Sequence, residues 1–183
     1  MGIFGKFCKK SEPKPTIYIT MGKWAGEPVE WQVLCVRNGR AMVLTKMVIA
    51  AMPFNKETFN GNKWETSDLR WWLNNPFRNA VFSEDETIKI QGELFCLSIE
   101  EAEKFLPSEE QRICCPTKFA RTKDLAGDEG CPFWWLRSPG DNENDAAVID
   151  SEGSVLDGWG VKSPLIGVRP AMWIDWDGED YIL

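Results

Sequence analysis

The chain has no histidine, and basic residues are in the minority: 21 lysines and arginines stand against 28 aspartates and glutamates, for a net charge of −7 and a pI near 4.8. The first absence removes histidine-containing zinc sites, Ser–His and Cys–His nucleophile pairs, and imidazole acid–base chemistry. The second sets up an average field that repels phosphate backbones, so no nucleic acid is expected as a partner. No apolar run approaches the roughly 20 residues that span a bilayer, and no membrane association is expected. The first ten residues carry lysines but lack the apolar core and small-residue cleavage site of a signal peptide, which points to a cytoplasmic location. Six cysteines are present without a Cys-x-x-Cys pair. Cys35 and Cys96 sit inside apolar, strand-like runs, where a free thiol behaves as a small hydrophobe, so reduced core cysteines are expected. Glycine-rich phosphate loops, serine nucleophile elbows and paired catalytic carboxylate motifs are also missing. No catalytic residue, metal or cofactor is expected from this inventory.

What the chain has in excess is aromatic: ten tryptophans and ten phenylalanines with two tyrosines in 183 residues. A chain of this length suits one domain that buries roughly 70% of its unfolded surface. Residues 1–15, with Ser-Glu-Pro-Lys-Pro at 11–15, read as a flexible arm, and 16–183 as the single domain. Asn38-Gly39 is the strongest hairpin signal, since both residues tolerate the positive φ of a type I′ turn; it joins strands within 29–49. Thr66, Ser67 and Asp68 offer N-cap oxygens ahead of a helix over 69–74, which Asn75-Pro76 should stop. Ser98 and Glu101 have capping-box spacing ahead of a second helix over 99–106. Short strands follow at 146–149, 154–156 and 171–174, separated by glycines. The order of elements predicts an α+β class with two helices packed on short antiparallel sheets and a loop-rich C-terminal region.

Two apolar segments, 133–140 and 167–174, bracket a polar stretch, 141–165, whose one aromatic is Trp159 between Gly158 and Gly160. This is a rigid frame around an insert, and polar inserts on rigid frames more often bind than catalyse. Trp159 has two readings, a contact anchor or a lid folded back over core. Arg137 and Arg169 lie in the frame, where they serve as struts to carboxylates or carbonyls in preference to reading a ligand. Trp71-Trp72 and Trp134-Trp135 are adjacent pairs, of which at most one ring each is expected to point fully inward.

Several segments carry a family resemblance. They are Glu-Pro-Val-Glu-Trp-Gln-Val-Leu at 27–34, Trp-Glu-Thr-Ser-Asp-Leu-Arg at 64–70 with Trp-Leu-Asn at 72–74, and Leu-Ser-Ile-Glu-Glu-Ala-Glu at 97–103. Trp-Trp-Leu-Arg-Ser-Pro-Gly at 134–140 and Gly-Val-Arg-Pro-Ala at 167–171 complete the set. In order and spacing they resemble a bacterial domain-of-unknown-function family with a C-type-lectin-like fold, over about 16–176. The resemblance implies a compact domain with adjacent ends, a pair of helices and a loop-rich sheet face. That fold also includes the variable target proteins of diversity-generating retroelements, in which a similarly placed polar stretch supplies ligand contacts. The Glu-Pro-Asn or Gln-Pro-Asp calcium motif of sugar-binding lectins is missing, and Trp173-Ile174-Asp175 only loosely echoes the Trp-Asn-Asp that completes it. Adjacent Cys114-Cys115 does not reproduce the reactive pair of sulfatase-modifying members, so neither calcium-dependent sugar binding nor catalysis is carried over.

Asp141, Glu143, Asp145 and Glu152 occupy positions 1, 3, 5 and 12 of a calcium-loop template, but Ala146 replaces its obligatory glycine and the following residues read as strand. The leading expectation is a non-enzymatic binding or interaction module for a protein or carbohydrate ligand, contacted through Asn142, Asn144, Asp157, Trp159 and Lys162. The alternatives are a carboxylate-based or metal-assisted enzyme using Asp141, Asp145 and Glu152, and a structural or assembly domain attached through the 1–15 arm.

Overall fold

In the computed structural model, which describes residues 15–57, 61–128, 130–178 and 181–182, the apolar segments form two sheets. The first contains β1 (Tyr18–Trp24), β2 (Glu27–Arg37), β3 (Arg40–Thr45), β12 (Ala171–Asp175) and β5 (Ile90–Phe95), in that order, with β13 (Tyr181–Ile182) also paired to β2. The second runs β10 (Val155–Gly160), β9 (Asp145–Ile149), β8 (Trp134–Pro139), β11 (Gly167–Val168) and β4 (Ala50–Ala51), and a ribbon of β6 (Gly127–Asp128) and β7 (Cys131–Pro132) stands apart. The class is α+β as the sequence predicts. The first sheet's pairings are all antiparallel, whereas the second is mixed, because β11 lies parallel to β8. Except for Pro15, the arm expected at 1–15 lies outside the described residues.

The β2–β3 hairpin turns at Asn38 and Gly39, with φ of 50° and 70°, and pairs Arg37 with Arg40. Ala25 and Gly26 make a second turn of this kind between β1 and β2. Gly22 is not in a turn; it lies in β1 at a register shift, where a Cβ would come within 2.5 Å of Val81. A bulge on β2 between Val33 and Cys35 changes the strand's parity, so Leu34 and Cys35 both enter the same core while Val33 and Val36 enter the other.

Both sheets have a core on each side. Ala41 and Val43, Trp135, and Ala146 and Val148 face the first core; Met42 and Leu44, Trp134, and Ala147 and Ile149 face the second. That is why these strands read as continuous apolar runs and not as alternating ones. It also overturns the expectation that only one ring of Trp134-Trp135 points inward, since both are fully buried, on opposite faces of β8. The three fully buried tryptophans each donate their indole N–H to a carbonyl: Trp134 to Arg112 at 3.1 Å, Trp135 to Met52 at 2.9 Å and Trp31 to Met21 at 2.8 Å.

Helices close both cores. Ser67 caps α1 (Asp68–Trp72) as predicted, but the helix does not stop at Asn75-Pro76. It widens into a π turn, Leu73–Phe77, and continues as α2 (Arg78–Val81). The wider turn accommodates Pro76, which lacks an N–H and would clash in a regular α-helical interior. Leu69, Leu73, Phe77 and Val81 enter the first core from this element. A capping box between Ser83 and Glu86 starts α3 (Glu84–Lys89), an element the sequence reading missed. The Ser98–Glu101 box starts α4 (Ile99–Phe105), as expected, and α4 covers the second core with Ala102 and Phe105. Two further single-turn helices, α5 (Glu109–Arg112) and α6 (Lys118–Arg121), were also missed.

The frame arginines are struts. Arg137 makes a bidentate pair with Glu101, donates to the Cys96 carbonyl at 2.8 Å and lies 5.0 Å from the Phe95 ring centroid. Glu101 thereby caps α4 and ties it to β8 with one carboxylate. Arg169, only 3% exposed, donates to the Thr45 carbonyl at 2.8 Å and lies over the Trp134 ring.

Replacing Trp135 by alanine is expected to cost about 3–5 kcal/mol in urea denaturation, against a change within about 0.5 kcal/mol for Trp71→Ala, whose ring is 59% exposed. Cys35, Cys96, Cys114 and Cys115 hold free thiols. Burial pushes the first three up, Cys96 to about 12, and leaves them protonated at pH 8. Iodoacetamide at pH 8 followed by peptide mass spectrometry is therefore expected to label exposed Cys115 and spare the other three until the protein is unfolded.

Candidate functional site

The polar insert becomes the free end of the second sheet. Its strands β9 and β10 form a hairpin, and β10 is the sheet's edge. The β8–β9 connection, 140–144, curls against β10 and is tied down through its backbone. Gly140 N–H donates to Asp145 O at 2.8 Å, Asp141 N–H to Asp157 O at 2.7 Å, and Val161 N–H to Asn144 O at 2.9 Å. Gly140 has to be glycine, because a Cβ there would stand 2.3 Å from the Asp157 carbonyl oxygen. From the first half of the chain, the Asn62 side-chain amide donates to the carbonyls of both Asn142 and Asp145, each at 2.9 Å.

The predicted contact residues do not all play one part. Asn142 works inward: its side-chain oxygen accepts from Asn144 N–H at 2.9 Å, and its amide donates to the Asp141 carboxylate at 3.1 Å and to that of Asp145. It organises the loop. Asn144 and Asp157 are exposed, and their side chains form no hydrogen bond or ion pair among the described residues. Lys162 is exposed, with its ammonium 3.8 Å from Glu57. Trp159 is half-buried: its ring meets Phe133 edge-on at 4.9 Å between centroids, so it is anchored in the first core while remaining partly open. The ring covers part of that core, as the lid reading expects, and leaves the rest of its surface open.

The three carboxylates of the enzyme reading are not brought together. Asp141 and Asp145 share the Asn142 amide at one end of β9, while Glu152 sits in the turn after its other end, a strand of about 16 Å away. The twelfth position of the calcium-loop template is thus far from its first and fifth, and the residues after the loop are strand. Among the described residues no group of three potential metal-ligating side chains converges. Hollows of about 260, 660, 410 and 310 Å³ indent the described surface, and none of these four is lined by a residue of 141–165.

Sequence reading missed Asn62, Asn55 and Arg112, which hold the insert from outside it; Asn55 N–H donates to Val161 O at 3.0 Å and Arg112 Nε to Gly153 O at 2.6 Å. Asn62 lies 80 and 83 positions from its two acceptors, so no local pattern could connect them.

Segments 38–92 and 83–176 match the family model described as a domain of unknown function, DUF6273. Together they take in most of the chain, which therefore belongs to that family; membership of a domain-of-unknown-function family is what the motifs led one to expect. No curated protein matches the chain, and no solved structure does.

Replacing Asn62 by alanine is expected to loosen the loop without unfolding the domain. Losing two hydrogen bonds of about 1 kcal/mol each predicts amide exchange faster by about tenfold or more at Gly140, Asp145 and Val161, with Ile149 unchanged, by hydrogen–deuterium exchange.

Proposed function

We propose that this chain is a non-catalytic binding module of C-type-lectin-like architecture that presents the 141–165 edge to a protein partner. The observation that carries the reading is a division of labour within the insert. Its backbone is held by Asn62, Asp157 and Asn144 through main-chain carbonyls, while the side chains of Asn144, Asp157 and Lys162 stay exposed beside the core-anchored Trp159. Side chains on a backbone held this way lose little entropy on binding, and their identities can change without disturbing the fold. Such an arrangement suits the variable binding proteins of diversity-generating retroelements.

The lectin-like architecture is supported by the two described ends of the domain, which meet on one strand. Tyr18 of β1 pairs with Gln32 of β2 and Ile182 of β13 with Cys35, so entry and exit are neighbours. The helical cover of the first sheet and the loop-rich second sheet fit the same architecture. An edge strand, β10, with its outer side open to pairing favours a protein surface over a small molecule. Against catalysis stands the separation of Glu152 from Asp141 and Asp145.

Binding of the full chain to arrays of bacterial surface proteins and glycans tests this. Wild type is expected to retain at least one protein, and the Asn144→Ala/Trp159→Ala double variant to lose about tenfold or more in affinity for it. Equal binding by the two would sink the proposal, and retention of glycans alone would replace the protein partner with a sugar.

A further inference from the structure

On the first sheet, away from the 141–165 edge, lies a trough of about 660 Å³ lined by Arg37, Asn38, Arg40, Gln91, Gly92 and Trp173. Strand order explains its form. Trp173 on β12 pairs with Met42 on β3 and with Gln91 on β5, so its half-buried indole is the floor between a β3 wall and a β5 wall. Two strand spacings put those walls about 10 Å apart, close to the width of a single heteroaromatic ring system with its contacts.

The β3 wall is basic. Arg37 and Arg40 are register partners flanking the Asn38-Gly39 turn, which sets their side chains on one face of the hairpin. Like charges placed directly across a strand pair are destabilising, and here neither guanidinium is in an ion pair among the described residues. Asp175 is opposite Arg40 in register but is not bridged to it. Arg78, which also reaches β5, is engaged by the Gly92 carbonyl at 2.9 Å. Two exposed guanidinium forks that are in no ion pair among the described residues, beside a half-buried indole, suit a ligand that is anionic at one end and flat at the other.

We infer that this trough is a binding site for a small aromatic phosphate, in chemical class a mononucleotide. The ring lies on the Trp173 indole, the phosphate takes the forks of Arg37 and Arg40, and the amides of Gln91 and Asn38 meet the ring's polar edge. The volume falls in the range of about 300–1,000 Å³ usual for small-molecule sites. The chain's negative charge opposes a polyanion far more than a ligand with one phosphate group.

Calorimetric titration of the full chain with AMP, GMP, adenosine and inorganic phosphate tests the site. At least one mononucleotide is expected to bind about tenfold or more tighter than adenosine or phosphate, because charge-assisted hydrogen bonds and stacking act together. Arg37→Gln/Arg40→Gln, a surface change that leaves the thermal midpoint in place, is expected to weaken that binding about tenfold, as is Trp173→Leu. Trp159→Ala is expected to leave it intact, which separates this site from the 141–165 edge. Absence of mononucleotide binding at millimolar concentration overturns the inference, as does equal binding by the double-arginine variant. Phosphate binding as tightly as the nucleotide removes the role of Trp173 and overturns it too, and so does a phosphopeptide or single-stranded oligonucleotide that outcompetes the mononucleotide.

Discussion

The back-to-back burial of Trp134 and Trp135 on β8 is the constraint from which most of the architecture follows. Adjacent residues of a strand point to opposite faces, so two fully buried tryptophans in succession require that both faces of the sheet be covered. Neither ring can be covered by its own sheet. Helices α1 and α2 close one side with Leu69, Leu73, Phe77 and Val81, and α4 closes the other with Ala102 and Phe105. Each indole N–H then has to be satisfied away from water, and the carbonyls that accept it belong to Arg112, at the end of α5, and to Met52, just after β4, so both are fixed in place. The strand thus ties two cores, a short helix and a loop together at once.

The same strand leads into the insert, and this connection gives the insert its character. Beyond Pro139 the chain meets β10 so closely that only glycine fits at 140, and from there every turn of the loop is bound through backbone carbonyls. A polar segment of this composition in isolation would be mobile, since it has little apolar surface to bury. Here the frame supplies the burial: Trp159 is wedged against Phe133, and Arg137 and Arg169 brace the frame by bonding to Glu101 and to the Thr45 carbonyl. Side chains that remain exposed are then displayed from a fixed position. The two arginines and the indole on the first sheet are displayed in another way, by strand register alone, with the tight Asn38-Gly39 turn setting Arg37 beside Arg40.

How much of this could be read from the chain depended on how local its cause is. The hairpin at Asn38-Gly39, the Ser98–Glu101 capping box and the cap at Ser67 are formed by residues within a few positions of one another, and each is found where the residues predicted it. The stop at Pro76 failed because proline excludes a regular α-helical turn but not a widened one, and the apolar spacing of Leu73, Phe77 and Val81 outweighed it. Trp134 and Trp135 were misjudged because a single-sided sheet was assumed. At the candidate site, Asn144, Asp157, Trp159 and Lys162 were legible as a polar insert between apolar segments, whereas the inward role of Asn142 follows from the shape of one loop.

Sequence by itself determined the α+β class, the hairpin, the caps, the reduced state expected of Cys35 and Cys96, and the family membership, since all of these rest on residue type and short-range order. Tertiary structure alone decided that both faces of the sheets are buried and that Asn62 staples a loop 80 positions away. It also decided that Glu152 is parted from Asp141 and Asp145, and that Arg40, Trp173 and Gln91 line one trough. The physical reason is the same in each case: which side chains meet across strands is set by register and by what covers each face, and both are properties of the packed chain as a whole.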